Sequence, residues 1–196
     1  MYKECATCAY TTICINDKVD YLIFKNFEMS KIEEYLKSKP QLTQAVVCYL
    51  LKPGQVLLGL RKKVALDLGK YLITGIGGKI ENGESAEEAV AREVEEEIKV
   101  KLQELTRIGK VIFLFPNKPA WNQEVYIYAS TRWEGEPTET EPIKPNWYST
   151  DKLPASQMWE DNLYIIPEVL KGKKIDAIFL YDNNKRVVEY HIKVNE

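Results

Sequence analysis

Histidine and cysteine are scarce in this chain of 196 residues, which has one histidine and four cysteines. Cys5, Cys8 and Cys14 lie close together near the N-terminus, but His191 lies far from them, so a four-ligand zinc site would need distant partners. Four cysteines are also too few for a disulfide scaffold at this length. We therefore expect free thiols rather than a zinc site, and we expect Cys48, which lies in an apolar run, to be a core residue.

The sequence also lacks an excess of charge and a long apolar run. Its 27 basic residues nearly balance 29 acidic ones, so the bulk charge attracts neither a nucleic-acid backbone nor an anionic membrane. No apolar run approaches the roughly 20 residues of a bilayer-spanning helix, and the first residues do not resemble a signal peptide. We expect a cytoplasmic protein that binds neither duplex nucleic acid nor membranes.

The pattern of the chain changes near residue 42. Residues 1–42 predict an N-terminal extension, with a β-hairpin over 10–24 and a short helix that begins at a capping box at Ser30. We expect this extension to cover an edge of the domain or to extend a dimer interface, and the alternative is a substrate lid or a partner-binding element. The sequence leaves open whether the protein is a homodimer. Residues 43–196 predict an α+β domain, a mixed sheet with helices packed on it. Its main strands are expected at 45–51, 56–60, 109–115, 124–128, 175–180 and 187–194.

The longest predicted helix has an unusual acidic surface. It begins at a second capping box, at Ser85, and runs to about Ile98. Glu93, Glu96 and Glu97 are spaced three and four residues apart, so their carboxylates share one surface near the helix C-terminus. Anions there oppose the helix dipole and repel one another. The surface is either a solvated acidic face or the site of a hard divalent cation such as Mg²⁺, which commonly shares its ligands with substrate phosphates.

A glycine cluster precedes this helix. Gly75, Gly77 and Gly78 permit backbone conformations and close approaches that other residues do not. Lys79 follows at a position where a phosphate-rich ligand needs a positive charge. A glycine cluster alone usually indicates a tight turn. Because a lysine and clustered carboxylates follow this one, it predicts a site for phosphates and a metal ion.

Residues 78–100 resemble the signature of the Nudix hydrolase family, G-x5-E-x7-R-E-U-x-E-E-x-G-U, in which U is aliphatic. Every fixed position agrees except Lys99, which stands where the family has glycine. The resemblance implies the Nudix fold, an α/β/α sandwich around a mixed β-sheet. It also implies hydrolysis of a nucleoside diphosphate linked to another group.

Segments outside this signature indicate which branch of the family the chain resembles. Residues 56–62, 108–113 and 158–162 are similar to the 8-oxo-dGTP diphosphatase branch of the family, and the likeness runs from about residue 43 onward, apart from a short insertion near 64–70. This implies hydrolysis of a purine nucleoside triphosphate, oxidised or not, to the monophosphate and pyrophosphate, with Mg²⁺ or Mn²⁺. The alternatives are a hydrolase of nucleotide sugars or dinucleotides and a non-catalytic nucleotide-binding module.

The resemblance also implies metal ligands and catalytic residues. The implied ligands are Glu93, Glu96, Glu97, Glu141 and the backbone carbonyl of Gly77. Glu97 is the predicted general base, with Glu93 or Glu141 as alternatives. Arg92 is expected to orient Glu93 by a charge-assisted pair rather than to touch the metal. Glu139 is the second choice for the later acid.

The resemblance further implies a set of residues that bind the substrate. Its members are Arg61, Thr74, Lys79, Trp159, Asp161 and Asn162. Lys79 is expected to contact the phosphates and Trp159 to stack on the base. Asp161 is expected to accept from guanine N1–H or the 2-amino group, and Asn162 to donate to O6. The plain alternative for these last two residues is capping of the helix that follows. These residues together predict a guanine-type base. Because Thr74 replaces an asparagine of the related branch, the sequence leaves open whether that base is oxidised.

Overall fold

The structure, a computed structural model, describes residues 29–62 and 72–195. The predicted hairpin over 10–24, the three N-terminal cysteines and the insertion near 64–70 lie outside the described residues. Among the described residues, no helix combines the length and the apolar character that a membrane crossing requires.

The described part of the chain forms three α-helices and ten strands. The helices are α1 (Lys31–Leu36), α2 (Ala86–Ile98) and α3 (Asn162–Leu170). The strands are β1 (Thr43–Lys52), β2 (Gln55–Arg61), β3 (Leu72–Thr74), β4 (Lys101–Leu102), β5 (Thr106–Leu114), β6 (Gln123–Ser130), β7 (Trp133–Glu134), β8 (Ile143–Ser149), β9 (Lys174–Tyr181) and β10 (Val187–Asn195). Both predicted capping boxes are confirmed, at Ser30 for α1 and at Ser85 for α2.

Eight strands form one mixed sheet, which confirms the predicted α+β class. Its order is β10-β9-β5-β6-β1-β2-β3, and β8 pairs with the other side of β2. The β1–β6 and β5–β9 pairs are parallel, and the remaining pairs are antiparallel. The short strands β4 and β7 pair separately. Strand β1 lies inside the sheet, between β6 and β2, and the candidate site lies beside it.

Alternate residues of β1 point to opposite faces of the sheet and build two cores. Cys48 and Leu50 pack with Val90 of α2 on one face, whereas Tyr49 packs with Ile166 of α3 on the other. Helices therefore cover both faces, as the expected α/β/α sandwich requires. Cys48 is a fully buried core residue, as predicted, and burial raises the pKa of its thiol to about 12.

Helix α1 packs against the far part of the sheet. Ile32 is buried with Leu114 of β5 and Leu180 of β9. The backbone N–H of Lys31 donates to the carboxylate of Glu189, on β10, at 2.9 Å. The described part of the predicted extension therefore covers the sheet, which is one of the roles expected of it. The boundary at residue 42 stays a prediction.

Candidate active site

The glycine loop, residues 75–79, lies alongside β1. Two β1 backbone N–H groups donate to its carbonyls, at 2.7 and 2.9 Å. A Cβ at Gly77 would lie 2.1 Å from the carbonyl oxygen of Val46, and one at Gly78 would lie 2.4 Å from the Glu93 carboxylate. Only glycine fits at residue 77, where the contact is with backbone, whereas a side chain at residue 78 would displace the Glu93 carboxylate. The loop is therefore held between β1 and the acidic surface of α2.

Arg92 lies among the acidic side chains and connects them. Its guanidinium contacts Glu84 at 2.7 Å, Glu93 at 2.9 Å and Glu96 at 3.3 Å. It also donates to the backbone carbonyl of Lys79 at 3.1 Å. The hydrogen bond from Arg92 is the main cause that lowers the pKa of Glu84. Arg92 thus fixes the glycine loop to α2, with Glu93 held beside it as expected.

Opposing effects act on the pKa of Glu93. Its side chain is only 14% exposed. Burial raises its pKa, the hydrogen bond from Arg92 opposes that rise, and the carboxylates of Glu97 and Glu96 raise the pKa further. The three carboxylates are therefore close enough to repel one another, as their spacing predicts. Repulsion of this kind favours a bound cation.

Glu97 is buried, at 7% exposure, and is held by three hydrogen bonds. Arg61 donates to its carboxylate at 2.7 Å, and a second nitrogen of Arg61 donates to the same carboxylate at 3.5 Å. The N–H of Gly77 donates to it at 3.1 Å. Arg61 also donates to the carbonyl of Gly77 at 2.7 Å. Arg61, expected to bind substrate, thus bridges two of the oxygens expected to bind metal.

A cavity of about 510 Å³ lies beside Arg61 on the α3 side of the sheet. It is lined by all six residues that the sequence predicts for substrate binding, together with Gly77: Arg61, Thr74, Lys79, Trp159, Asp161 and Asn162. The side chains come from β2, β3, the glycine loop and the start of α3. Residues far apart in the sequence therefore share one space of the size that nucleotide-sized ligands occupy.

An aromatic wall, made of Phe113, Phe115, Trp121, Trp159 and Tyr181, lines part of this cavity. Phe115 and Tyr181 stack with ring centroids 4.6 Å apart, and Trp159 meets the Tyr181 ring edge-on at 5.6 Å. Of the five, only Trp159 was predicted from the sequence. Phe113 lies in β5 and Phe115 directly follows it, and their two-residue spacing is the signal that could have identified them.

Asp161 and Asn162 form a buried polar pair at the base of this wall. The hydroxyl of Tyr181 donates to Asp161 at 2.6 Å, and the Asn162 amide donates to it at 3.2 Å. The hydroxyl of Tyr49 donates to Asn162 at 3.5 Å. Asp161 precedes α3, but within the described part of the chain its side chain makes no capping hydrogen bond. Asp161 therefore occupies the N-cap position of α3, as the alternative expects, but its side chain does not cap the helix.

A family model described as the NUDIX domain matches residues 41–169. The chain belongs to the Nudix family. It is 34% identical over 143 residues to the oxidized purine nucleoside triphosphate hydrolase of Danio rerio, covering 73% of this chain and 89% of the relative. It is 31% identical over 144 residues to that of Mus musculus, covering 74% and 90%.

A solved structure supports the same Nudix fold. The MutT protein of Bacillus halodurans superposes with a TM-score of 0.67 at 22% identity, covering 78% of this chain and 98% of that one. Nudix hydrolases generally require a divalent metal ion, usually Mg²⁺. The oxygen atoms of the Glu97 carboxylate and of the Gly77 carbonyl are candidate ligands for such an ion.

The donors present fit such a hard cation. The carboxylates of Glu93 and Glu97 and the carbonyl of Gly77 are oxygen ligands, the type that Mg²⁺ prefers. Within residues 29–62 and 72–195, however, no three acidic, histidine or cysteine side chains are arranged around one ion position. Glu97 faces Arg61 and Glu93 faces Arg92, so a positive side chain already meets each carboxylate.

Glu139 and Glu141, the two candidates for a further acidic metal ligand, lie on the segment before β8. Glu139 pairs with Lys62 at 2.7 Å, and the hydrogen bond from Lys62 lowers its pKa. Glu141 is exposed. Its assignment as a further metal ligand stays a prediction.

The single departure from the Nudix signature, Lys99, ends α2 in the left-handed region, with φ 61° and ψ 33°. Because glycine adopts this conformation without strain, we expect Lys99→Gly to be neutral or to stabilise the fold by up to about 1 kcal/mol. Urea denaturation measures this change, and the metal dependence of activity should not change. Lys99→Ala removes the same charge without relieving the backbone and should not stabilise. A large loss of activity in Lys99→Gly would reveal a role for the lysine side chain.

Asp161 makes stability depend on pH. Burial raises its pKa from 3.8 to about 6, against the opposing hydrogen bond from Tyr181. Because the folded-state pKa is raised, protonated Asp161 favours folding below its unfolded pKa, and this contribution is lost as the pH rises through about 6. Asp161→Asn should therefore raise the free energy of unfolding at pH 8 by up to about 3 kcal/mol. Urea denaturation from pH 4 to pH 8 should show this gain vanish near pH 4, and a gain independent of pH would contradict the explanation.

Proposed function

We propose that this protein hydrolyses purine nucleoside triphosphates, oxidised or not, to the nucleoside monophosphate and pyrophosphate, and favours guanine-type bases. One observation carries this proposal: a single cavity is lined both by Gly77 and Lys79, next to the acidic surface of α2, and by Trp159, Asp161 and Asn162. The names of the relatives from Danio rerio and Mus musculus support the same substrate class. Removing oxidised nucleotides from the nucleotide pool is the role consistent with that class.

The base end of the cavity offers the hydrogen bonds that guanine needs. Ionised Asp161 accepts from N1–H or the 2-amino group, and the Asn162 amide donates to O6. Trp159 supplies an aromatic face for stacking. Tyr181 and Tyr49 hold the two polar side chains in place, at 2.6 and 3.5 Å. Pyrimidines lack the second ring and the 2-amino group of guanine, so they are expected to be poor substrates.

The groups that hydrolysis needs lie in or next to the end of the cavity that Gly77 and Lys79 line. Glu93, Glu96, Glu97 and the carbonyl of Gly77 are the proposed ligands of Mg²⁺, with Mn²⁺ as a substitute and with Glu141 as a further ligand. A divalent cation bound there supplies positive charge opposite the phosphate oxygens and makes a nearby water easier to deprotonate. Lys79 adds a positive charge for the phosphates, and Arg92 keeps Glu93 in position.

Glu97 is the proposed general base. It takes a proton from the attacking water as the new oxygen–phosphorus bond forms, and pyrophosphate leaves as the bond to the monophosphate breaks. Burial and the hydrogen bond from Gly77 keep its carboxylate in one orientation. Positioning of this kind is what makes proton transfer effective.

A substrate panel tests the proposal. Initial rates are measured with Mg²⁺ for dGTP, 8-oxo-dGTP, dATP and dCTP, and for a nucleotide sugar and a dinucleotide. We expect the purine triphosphates to be hydrolysed, those with guanine-type bases fastest, and we expect dCTP to be poor. Release of a sugar phosphate from the nucleotide sugar as the fastest reaction would favour the alternative enzyme class. Binding without hydrolysis of any compound would favour a non-catalytic module.

A further inference from the structure

Arg61 lies at the point where two proposed metal ligands meet. One guanidinium nitrogen lies 2.7 Å from Glu97 Oε1, and the other lies 2.7 Å from the carbonyl oxygen of Gly77. A metal ion held between these two oxygens would lie against the guanidinium, and two positive groups at such a distance repel. Arg61 in this position and the metal ion therefore exclude each other.

We propose that Arg61 is a positioning residue that takes the place of the cation in the metal-free protein and moves away when the cation binds. The inference rests on the proposed function, because it takes Glu97 and Gly77 as metal ligands. A buried carboxylate without a positive partner is strongly destabilising, and Arg61 prevents that state before metal binds. The N–H of Gly77 stays on the other carboxylate oxygen and keeps Glu97 oriented throughout.

Once it is displaced, the Arg61 side chain can also contact the substrate. Arg61 is 36% exposed and lines the same cavity as Lys79, where the substrate phosphates are proposed to lie. A guanidinium released from Glu97 can pair with phosphate oxygens, for which its planar fork is well suited. Metal and nucleotide each favour the released position of Arg61, so each should tighten the binding of the other.

Direct metal binding tests the displacement. We would titrate the nucleotide-free protein with Mn²⁺ and follow the free ion by electron paramagnetic resonance. Arg61→Gln should bind Mn²⁺ about tenfold to hundredfold more tightly than the wild type, since the ion no longer breaks charge-assisted hydrogen bonds. Lys110→Gln is the matched control, because it also removes a positive side chain that is paired with a glutamate, and its partner Glu124, at 2.8 Å, is not a proposed metal ligand. Its Mn²⁺ affinity should stay within about twofold of the wild type.

Cooperativity gives a second readout. A GTP analogue with a methylene group between the α- and β-phosphorus atoms should tighten Mn²⁺ binding to the wild type. In Arg61→Gln this gain should be smaller, because no guanidinium is released toward the phosphates.

Thermal unfolding separates this role from a purely structural one. In a chelator, Arg61→Gln should melt at a lower temperature than the wild type, and in saturating Mg²⁺ the difference should disappear. A structural role would lower the melting temperature in both conditions. Equal Mn²⁺ affinity of the wild type and Arg61→Gln, or equal tightening in Lys110→Gln, would overturn this inference alone. A wild-type protein that binds no Mn²⁺ and hydrolyses no triphosphate would overturn the proposed function as well.

Discussion

Replacing Glu97 by glutamine is expected to lower kcat at saturating Mg²⁺ by about 10²–10⁴-fold, the range for loss of a general base. Glutamine keeps the shape of the side chain but has one acceptor oxygen, so it can accept from Arg61 or from the N–H of Gly77 and not from both. It neither accepts a proton from water nor offers a charged metal ligand. Steady-state kinetics with dGTP and 8-oxo-dGTP measure the loss, and circular dichroism confirms that the variant is folded.

Glu95→Gln is the matched control for this prediction. Glu95 lies on the same turn of α2 but is exposed, and its contribution to the helix end is a backbone carbonyl that accepts from Lys99 at 3.0 Å. Its replacement removes the same charge and should change kcat by less than about twofold. Glu96→Gln, at a proposed metal ligand, should lose much of the activity. Near-full activity of both Glu97→Gln and Glu96→Gln at saturating Mg²⁺ would show that the proposed mechanism is wrong.

Removing the Asp161 carboxylate is expected to reduce kcat/KM for guanine nucleotides about tenfold to hundredfold. The variant Asp161→Ala leaves the guanine N1–H or 2-amino group without a buried acceptor, and an unmet hydrogen bond of this kind costs about 1–3 kcal/mol. Competition between dGTP and dCTP in one reaction gives the selectivity directly. The loss should appear for dGTP and 8-oxo-dGTP and should be small for dCTP.

Glu160→Gln controls for the loss of a negative charge at this end of the cavity. Glu160 precedes Asp161 but accepts from the backbone N–H of Val187 at 3.2 Å, away from the polar pair. Its replacement should leave base selectivity unchanged. If Asp161→Ala and Trp159→Ala both left the relative rates of dGTP, 8-oxo-dGTP, dATP and dCTP unchanged, these two residues would belong to the core and not to a base site.

Much of the fold could be predicted because its signals are local. The capping boxes at Ser30 and Ser85 lie within four residues, and the two long strands β1 and β2 are separated by a strong turn signal. Four strands, β3, β4, β7 and β8, were not among the predicted strands, and β4 and β7 have only two residues each, too few to show a periodicity. The glycine loop was recognised, but the reason for Gly78, contact with the Glu93 carboxylate, requires the packed structure.

The candidate site was only partly predictable, because its contacts join distant parts of the chain. The spacing of the acids on α2 indicates their shared surface. That Arg61 bridges Glu97 and Gly77 is not visible in the sequence, since it depends on the β2–β3 pairing and on the path of the glycine loop. The aromatic wall likewise forms only when β5 and β9 pair, which brings Phe115 and Tyr181 together. Asp161 lies at the position of a helix-capping residue. In the described structure its carboxylate accepts a hydrogen bond from the hydroxyl of Tyr181 and makes no capping hydrogen bond.

The products formed from 8-oxo-dGTP in the presence of Mg²⁺ test the central claim most directly. Ion-exchange chromatography of a single-turnover reaction resolves the monophosphate, the diphosphate, pyrophosphate and phosphate. The proposed site predicts 8-oxo-dGMP and pyrophosphate in equal amounts, with no reaction in the presence of a chelator. Formation of the diphosphate and phosphate, or the absence of hydrolysis by wild-type protein that binds Mg²⁺ and the nucleotide, would contradict it.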